Sequence, residues 1–408
     1  MIATVSLAPL ASEEVRRNPY PFYAHLHELG PVCEVEEGTS RYHYVVHGYD
    51  AAGKVLRDPA FRVVDSTRLV EEPTWEQEPT QSIFFNSMMF NNDPRHARMR
   101  RLFNQVFTAR RVAGLEPTVD RIIDDLLEGM AASGAHHTPL EYMAAYAYPV
   151  PSNVMGEMLG VPEEDRAWYR PLAAALGVVL ELGGSTPENI ARADAASREL
   201  AAYFTKLCAM RRAEPREDLI SALVAALDAE QAALSTEELL ANLIVLFNAG
   251  FVTTTHLIGN GLTLLLDHPE AMKALRAQPE LAAGYVEEML RVEVPTHFVI
   301  RWAAEDSEIA GVPVRQGKRV LILLSAANRD PSRFPEPDVF DPARTDNQAL
   351  SFGSGVHFCL GAALARLEGQ RAFTMLLDRF ADIRLDREPG IPRQLMLRGH
   401  DELWVTLD

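Results

Sequence analysis

The chain is predicted to be mainly α-helical with a small β region. Three observations carry that prediction. Residues 239–266 contain no Asp, Glu, Lys or Arg, the composition of a long buried helix. From about residue 95 to residue 278 apolar side chains recur at helical spacing, as in Ile122, Ile123, Leu126, Leu127 and Met130. Short alternating runs near the start and after residue 297 supply the strands.

In chain order, a short helix over residues 21–29 precedes PVCEVEE and RYHYVVHG, which alternate as a hairpin. Residues 62–93, with Pro73 and Pro79, read as a long loop, and a loop of that length usually carries function or disorder. Ser235 followed by Glu238 is a capping box opening the long helix, which stops near residues 267–269 at Pro269. Another helix covers residues 279–292. Strand-like runs at 297–302, 312–314 and 319–323 follow, then a Pro/Asp-rich stretch through Arg344. The last strong helix follows Cys359, with Leu360, Ala363, Leu364 and Leu367 at helical spacing, and the terminal LWVTLD alternates like an edge strand. Length alone suggests two or three domains, but a large central cofactor can hold such a chain together. No repeat or Gly/Ser-rich linker divides it.

Composition narrows the class. Hydrophobic residues make up 47% and charged residues 24%, as in a soluble globular enzyme. A net charge of −18 argues against nucleic acid or an anionic membrane as partner, since both reward basic surfaces. Cys33, Cys208 and Cys359 are far apart and odd in number, so neither a disulfide framework nor structural zinc is implied, and a reducing cytoplasm fits. The first residues lack a basic n-region followed by a long apolar run, so no signal peptide and a cytoplasmic location are expected. The charge-free run is long enough to span a bilayer. Asn248, Gly250, Thr253, Thr254, Thr255, His256 and Asn260 in its middle, and acidic flanks, favour a buried helix instead.

The most informative segment is FGSGVHFCLG, residues 352–361, directly before a helix. The unpaired N–H groups and dipole of a helix N-terminus favour a thiolate at Cys359. Gly353 and Gly355 let the backbone adopt positive φ and pass close to a flat ligand, and Gly361 removes a side chain just beyond the sulfur. A thiolate with amide donors aimed at it is what a haem iron needs on its axial side. Cysteine alone is more often an inert buried residue. The combination with Phe352, both glycines, His357 and Gly361 points to haem.

On these residues the chain resembles the cytochrome P-450 family, whose loop reads FGxGxHxCxG, with every fixed position matched. The resemblance continues from NPYPFYAHLHELGPV to the last helix. It implies a single cytochrome P-450 domain over residues 1–408, with haem b buried between the long helix and the cysteine loop and Cys359 ligating iron. By the same resemblance His96, Arg100, Arg301 and His357 meet the propionates, while Phe352, Gly353 and Gly361 shape the haem-binding loop. Glu288 and Arg291 form an E-x-x-R pair that Arg344 of FDPAR joins in a buried network. Equal spacing at Glu13/Arg16, Glu14/Arg17, Glu163/Arg166 and Glu368/Arg371 reads as solvated helix faces. For AGFVTT, residues 249–254, the resemblance implies that the small pair Ala249 and Gly250 widens a groove for oxygen and that Thr253 hydrogen-bonds dioxygen and helps deliver protons. A threonine there also suits a bond back to a helix carbonyl.

One position departs from the family. The residue before the threonine is usually acidic, and here it is Val252. A one-residue shift would place Thr253 at the acid's position and Thr254 at the threonine's, but it misaligns the Ala-Gly pair. Proton delivery is then left to ordered water, a substrate group or another side chain, or to a variant reaction. Residues 91–111 hold six arginines (Arg95, Arg98, Arg100, Arg101, Arg110, Arg111) and one acid, Asp93. This local reversal suits either a solvated face or docking of an acidic ferredoxin.

The resemblance thus implies a haem-thiolate monooxygenase. It would insert one oxygen atom from dioxygen into an apolar small molecule, by hydroxylation or epoxidation in bacterial secondary metabolism. Electrons would come from ferredoxin and ferredoxin reductase. Leu246, Phe247, Pro295, Phe298, Val299 and Met396 are the expected pocket residues. Two alternatives stay open: coupling, desaturation or peroxide-driven oxidation by the same centre, and a non-catalytic haem-binding or carrier-recruiting protein.

Overall fold

The charge-free run forms one helix, Thr236–Asp267, in the computed structural model of the chain, which describes residues 2–66, 78–132, 138–182, 184–228 and 234–408. The capping box closes its start: the Glu238 N–H donates to Ser235 Oγ at 3.1 Å and the Ser235 N–H donates to Glu238 Oε2 at 2.9 Å. Arg95 and Arg98 also donate to Glu238, at 2.7 and 2.5 Å. Burial raises the pKa of this carboxyl, but the two arginines and the cap outweigh it and hold the group down to about 2. By length and composition the helix could cross a membrane. Leu243, Ile244, Phe247, Ile258, Leu262 and Leu265 on it are nevertheless fully buried in protein.

Two compact units are formed, one from Met1–Arg62, Glu116–Val150 and Thr253–Asp408, the other from Val63–Leu115 and Pro151–Val252. All strands among the described residues lie in the first. They are β1 (Thr4–Val5), β2 (Val32–Val35), β3 (Tyr44–Val46), β4 (Phe61–Arg62), β5 (Leu140–Glu141), β6 (Phe298–Ala303), β7 (Ser307–Ile309), β8 (Val312–Val314), β9 (Arg319–Leu323), β10 (Ile383–Leu385) and β11 (Trp404–Leu407). One sheet runs β1-β2-β3-β9-β6-β4, a second β10-β11-β5, and β7 pairs with β8. The hairpin read from PVCEVEE and RYHYVVHG is β2 against β3, Val32 opposite Val46. Val46, Val55, Leu56, Phe61, Val320 and Ile322 form the core under the large sheet. The second unit is helical among its described residues apart from turns and loops. Tyr169, Phe204, Phe247 and Phe251 pack ring on ring in it, Tyr169 and Phe247 with centroids 4.2 Å apart.

The structure departs from the sequence reading in three elements. Pro79–Asn86 is a helix where a continuous loop over residues 62–93 is expected. Pro79 takes the first helical position, where its missing N–H costs nothing. The Thr80 N–H and hydroxyl both donate to buried Asp194, at 3.0 and 2.7 Å, and anchor that first turn. Residues 67–77 of the same stretch lie outside the described residues. The terminal strand β11 is central rather than an edge, because the short pieces β10 and β5 flank it. Third, two of the four E-x-x-R pairs read as solvated faces are not. Arg166 is buried and donates to Glu157 at 2.7 Å, and Arg371 pairs with Asp120 at 2.8 Å.

Glu368 in the second of those pairs is fully buried, and neither carboxylate oxygen has a hydrogen-bond partner among the described residues. Desolvation raises its pKa well above the usual value. A raised folded-state pKa means that this group's contribution is fully present below its unfolded value. It is lost as pH climbs from there toward the folded pKa. Over that window the chain is expected to lose about 1.4 kcal/mol of stability per pH unit from this group. Glu368→Gln should therefore match the parent near pH 4 and become progressively more stable than it toward pH 8. Urea midpoints at several pH values read the difference, and parallel curves would remove Glu368 as the cause.

Methionines fill glycine notches along the long helix. A Cβ on Gly250 would lie 2.5 Å from Met155 Sδ and one on Gly259 2.7 Å from Met143 Sδ, whereas one on Gly261 would lie 2.3 Å from Phe373 Cζ and 2.9 Å from Met289 Sδ.

Candidate active site

The cysteine loop is built from tight local turns. Gly353 and Gly355 sit at φ +70° and +73°, where a side chain strains the backbone. A Cβ on Gly355 would also come within 2.6 Å of the Leu56 carbonyl oxygen, so glycine lets the loop press on the end of helix Tyr49–Arg57. A single 3-10 turn, Gly355–His357, carries His357. The Cys359 N–H then donates to the Phe352 carbonyl at 2.9 Å and closes the loop. The helix Ala362–Arg379 begins three residues after the cysteine, with Gly361 at its N-cap and nothing within 4 Å of where a Cβ would stand. Cys359 is exposed, whereas Cys33 and Cys208 are buried. Arg366 lies over the Phe352 ring at 4.5 Å.

Glu288 and Arg291 lie on helix Ala282–Val292 and are completely buried. Arg291 donates twice to the Glu288 carboxylate, at 2.8 and 2.7 Å. The same carboxylate accepts from Arg344 at 3.2 Å, Asn347 at 2.9 Å and the Asp341 N–H at 3.0 Å. Arg291 spends its remaining donors on the carbonyls of Asn328, Pro337 and Val339. Asn328 is a residue that sequence reasoning does not single out. Its Oδ1 accepts the Leu350 N–H at 2.7 Å and its Nδ2 donates to Ser351 at 2.9 Å, so it ties the ion pair to the approach of the cysteine loop. A lone asparagine in a Pro/Asp-rich stretch carries no sequence signal for such a role.

Arg301 occupies the middle of β6 and is buried. Its guanidinium donates to the Ile300 carbonyl at 2.8 Å and has no carboxylate partner among the described residues. Burial lowers its pKa to about 10. Of the expected pocket residues in this unit, Pro295 and Met396 are brought side by side. The Arg398 N–H donates to the Pro295 carbonyl at 2.8 Å, and the His297 N–H donates to Met396 at 2.9 Å. Phe298 is fully buried, and Val299 packs on the core under the large sheet.

In the helical unit, His96 and Arg100 stand one turn apart on helix Arg95–Val106. His96 is buried, with Nδ1 3.5 Å from Asp93, and desolvation lowers its pKa. Arg95 and Arg98 are committed to Glu238, so two of the six arginines within residues 91–111 pair inside the unit. Ala249, Gly250, Leu246 and Val252 are half-buried on the long helix. Gly250 leaves its room to Met155, and Phe247 is fully buried in the aromatic cluster. Thr253 is half-buried in the next turn, followed by buried Thr254 and Thr255.

A mainly α fold with small sheets, a glycine-shaped cysteine loop before a helix and a buried E-x-x-R network define a recognisable class. The family model for cytochrome P-450 matches residues 8–397, and the chain belongs to that family. It is 39% identical over 379 residues to the cytochrome P-450 monooxygenase PikC of Streptomyces venezuelae, covering 93% of this chain and 88% of that protein. Among solved structures it is similar to P450BioI in complex with hexadec-9Z-enoic acid ligated acyl carrier protein. There the TM-score is 0.89 at 36% identity, covering 97% of this chain and 100% of that one. It is also similar to CxnD, a P-450 enzyme for C–S bond formation in chuangxinmycin biosynthesis. That match has TM-score 0.88 and 31% identity over 100% of this chain and 98% of the other.

The family implies haem b, and this chain's residues fit it. Arg301 is a buried cation without a carboxylate among the described residues, which suits a propionate. Gly361 leaves open space beside Cys359, which suits a flat ring.

Proposed function

We propose that this chain is a haem-thiolate monooxygenase that inserts one oxygen atom into an apolar small molecule, with residues 1–408 acting as a single cytochrome P-450 domain. The observation that carries the reading is the Cys359 loop, with its exposed thiol, closed backbone and glycine-cleared surroundings. Cys359 would be the axial ligand, and Arg301, His357, His96 and Arg100 would hold the propionates. Bound haem would supply oxygen activation, with the balance RH + O2 + 2e− + 2H+ → ROH + H2O. Thr253 would donate a hydrogen bond to dioxygen and pass on protons, and Pro295 and Met396 would line the substrate side. Electrons would come from ferredoxin and ferredoxin reductase. The similarity to PikC, a monooxygenase, supports insertion, and the similarity to CxnD supports a place in secondary metabolism.

The test is turnover under labelled dioxygen with a ferredoxin donor. Apolar small molecules and carrier-bound acyl chains would first be screened by the spin-state shift they induce. One labelled oxygen atom in the product is expected. A coupled or desaturated product without label would overturn insertion. It would favour the second reading, which Val252 keeps open by leaving no carboxylate at the position before Thr253.

A further inference from the structure

The second half of the long helix carries a polar stripe that runs on from Thr253, and the proposed chemistry uses none of it beyond that threonine. Thr253, His256, Asn260, Thr263 and Asp267 follow one another at intervals of three, four, three and four residues, so they lie along one face. Such a face inside an otherwise apolar helix costs free energy unless its groups are satisfied. The segment 398–400 lies along it. Asn260 Nδ2 donates to the Arg398 carbonyl at 3.2 Å. His400 Nε2 meets Thr263 Oγ1 at 2.8 Å. The His256 ring packs against Gly399 so closely that a Cβ there would clash with Nδ1.

Two atoms of this arrangement are left over. His256 Nδ1 and His400 Nδ1 are buried and have no hydrogen-bond partner among the described residues. Thr255 Oγ1, on the neighbouring residue, is in the same position. A buried imidazole nitrogen without a protein partner takes an ordered water where there is room for one, and of these two rings His400 lines a cleft. At its far end the stripe opens into a cleft of about 380 Å³, lined by Arg17, Asn260, Thr263, Asp267, Glu293 and His400 among others. Asp267 and Glu293 place carboxylates at that mouth.

Resting on the monooxygenase reading, we propose that this stripe, with His400 and bridging water, carries protons from the cleft to Thr253, replacing the acid that Val252 does not supply. An imidazole accepts a proton at one nitrogen as it releases another from the second, and returns neutral. His256 and His400 thus act as positioning and relay residues behind Thr253. Burial lowers both pKa values to about 4, with a further contribution from His400 on His256 and from Arg398 on His400. Both rings therefore rest neutral at pH 7 with one lone pair free to accept.

Two measurements test the route. In the holoenzyme, His256→Leu and His400→Leu are expected to raise the hydrogen peroxide released per dioxygen consumed at least about threefold and to change the solvent isotope effect on turnover. Thr263→Val, which keeps the shape at His400, should move both readouts in the same direction. Unchanged peroxide yield and isotope effect in folded His256→Leu would overturn the route. The second measurement needs no turnover: by nitrogen-15 NMR, the His256 ring N–H should exchange with solvent, at least about tenfold more slowly in His400→Leu. Exchange indifferent to His400 would overturn it as well. A missing thiolate-type spectrum in the parent protein would instead sink the monooxygenase reading, and the exchange measurement would still decide whether water reaches His256.

Discussion

Cys359→Ser is expected to abolish the thiolate-type Soret band of the dithionite-reduced carbon monoxide complex and to lower turnover by about a thousandfold or more, at least about 4 kcal/mol in the barrier. The substitution should leave the loop folded. Its closure rests on the Cys359 backbone N–H to Phe352 and on the positive-φ glycines, none of which involves the sulfur. Serine keeps the size and, on the proposed reading, would remove the soft, electron-donating ligand that favours O–O cleavage. No other cysteine can stand in. Cys33 and Cys208 are buried, and burial pushes both thiols up, that of Cys208 to about 11. A carbon monoxide difference spectrum of parent and variant is the check. A band surviving in Cys359→Ser would place the ligand elsewhere and undo the site.

Glu288→Ala should bring the largest loss of stability, about 3–5 kcal/mol, because it strands the fully buried Arg291 guanidinium. The loss should also reach the cofactor. Arg291 holds the Asn328 carbonyl, and the Asn328 side chain holds Leu350 and Ser351 just ahead of the cysteine loop. The variant should therefore purify with less haem as well as a lower urea midpoint. Replacing both partners by methionine should cost less than Glu288→Ala alone, since the fully buried guanidinium is then gone and only Arg344, less deeply buried, loses its carboxylate. A single variant with unchanged midpoint and haem content would show that the network is not structural.

The cysteine loop was readable in the sequence because each of its residues answers a local requirement. Gly353 and Gly355 need positive φ, and Gly361 precedes a helix with a clear apolar period. The long helix was readable for the same kind of reason, through its charge-free interior and the Ser235–Glu238 box. Legibility ended where a residue's role depends on what comes to it from far along the chain. Glu288/Arg291 and Glu368/Arg371 have identical spacing. Only the first closes on itself; in the second, Arg371 turns to Asp120, and Glu368 has no hydrogen-bond partner among the described residues. Likewise LWVTLD alternates in the same way whether it lies at an edge or between β10 and β5. The Arg95–Glu238 contact spans 143 residues, so no local reading could subtract Arg95 from the basic face.

The notches at Gly250, Gly259 and Gly261 have a consequence for the protein's working life. The first two are filled by the thioethers of Met155 and Met143, and at Gly261 the thioether of Met289 shares the space with the Phe373 ring. A thioether is the side chain that converts most readily to a polar sulfoxide, and a close-packed notch has no room for the added oxygen. Reduced oxygen species released by a monooxygenase at this centre would thus threaten the packing of the very helix that carries Thr253. On the monooxygenase reading, durability and fidelity would be linked in this molecule: turnover that wastes oxidant would also wear the scaffold.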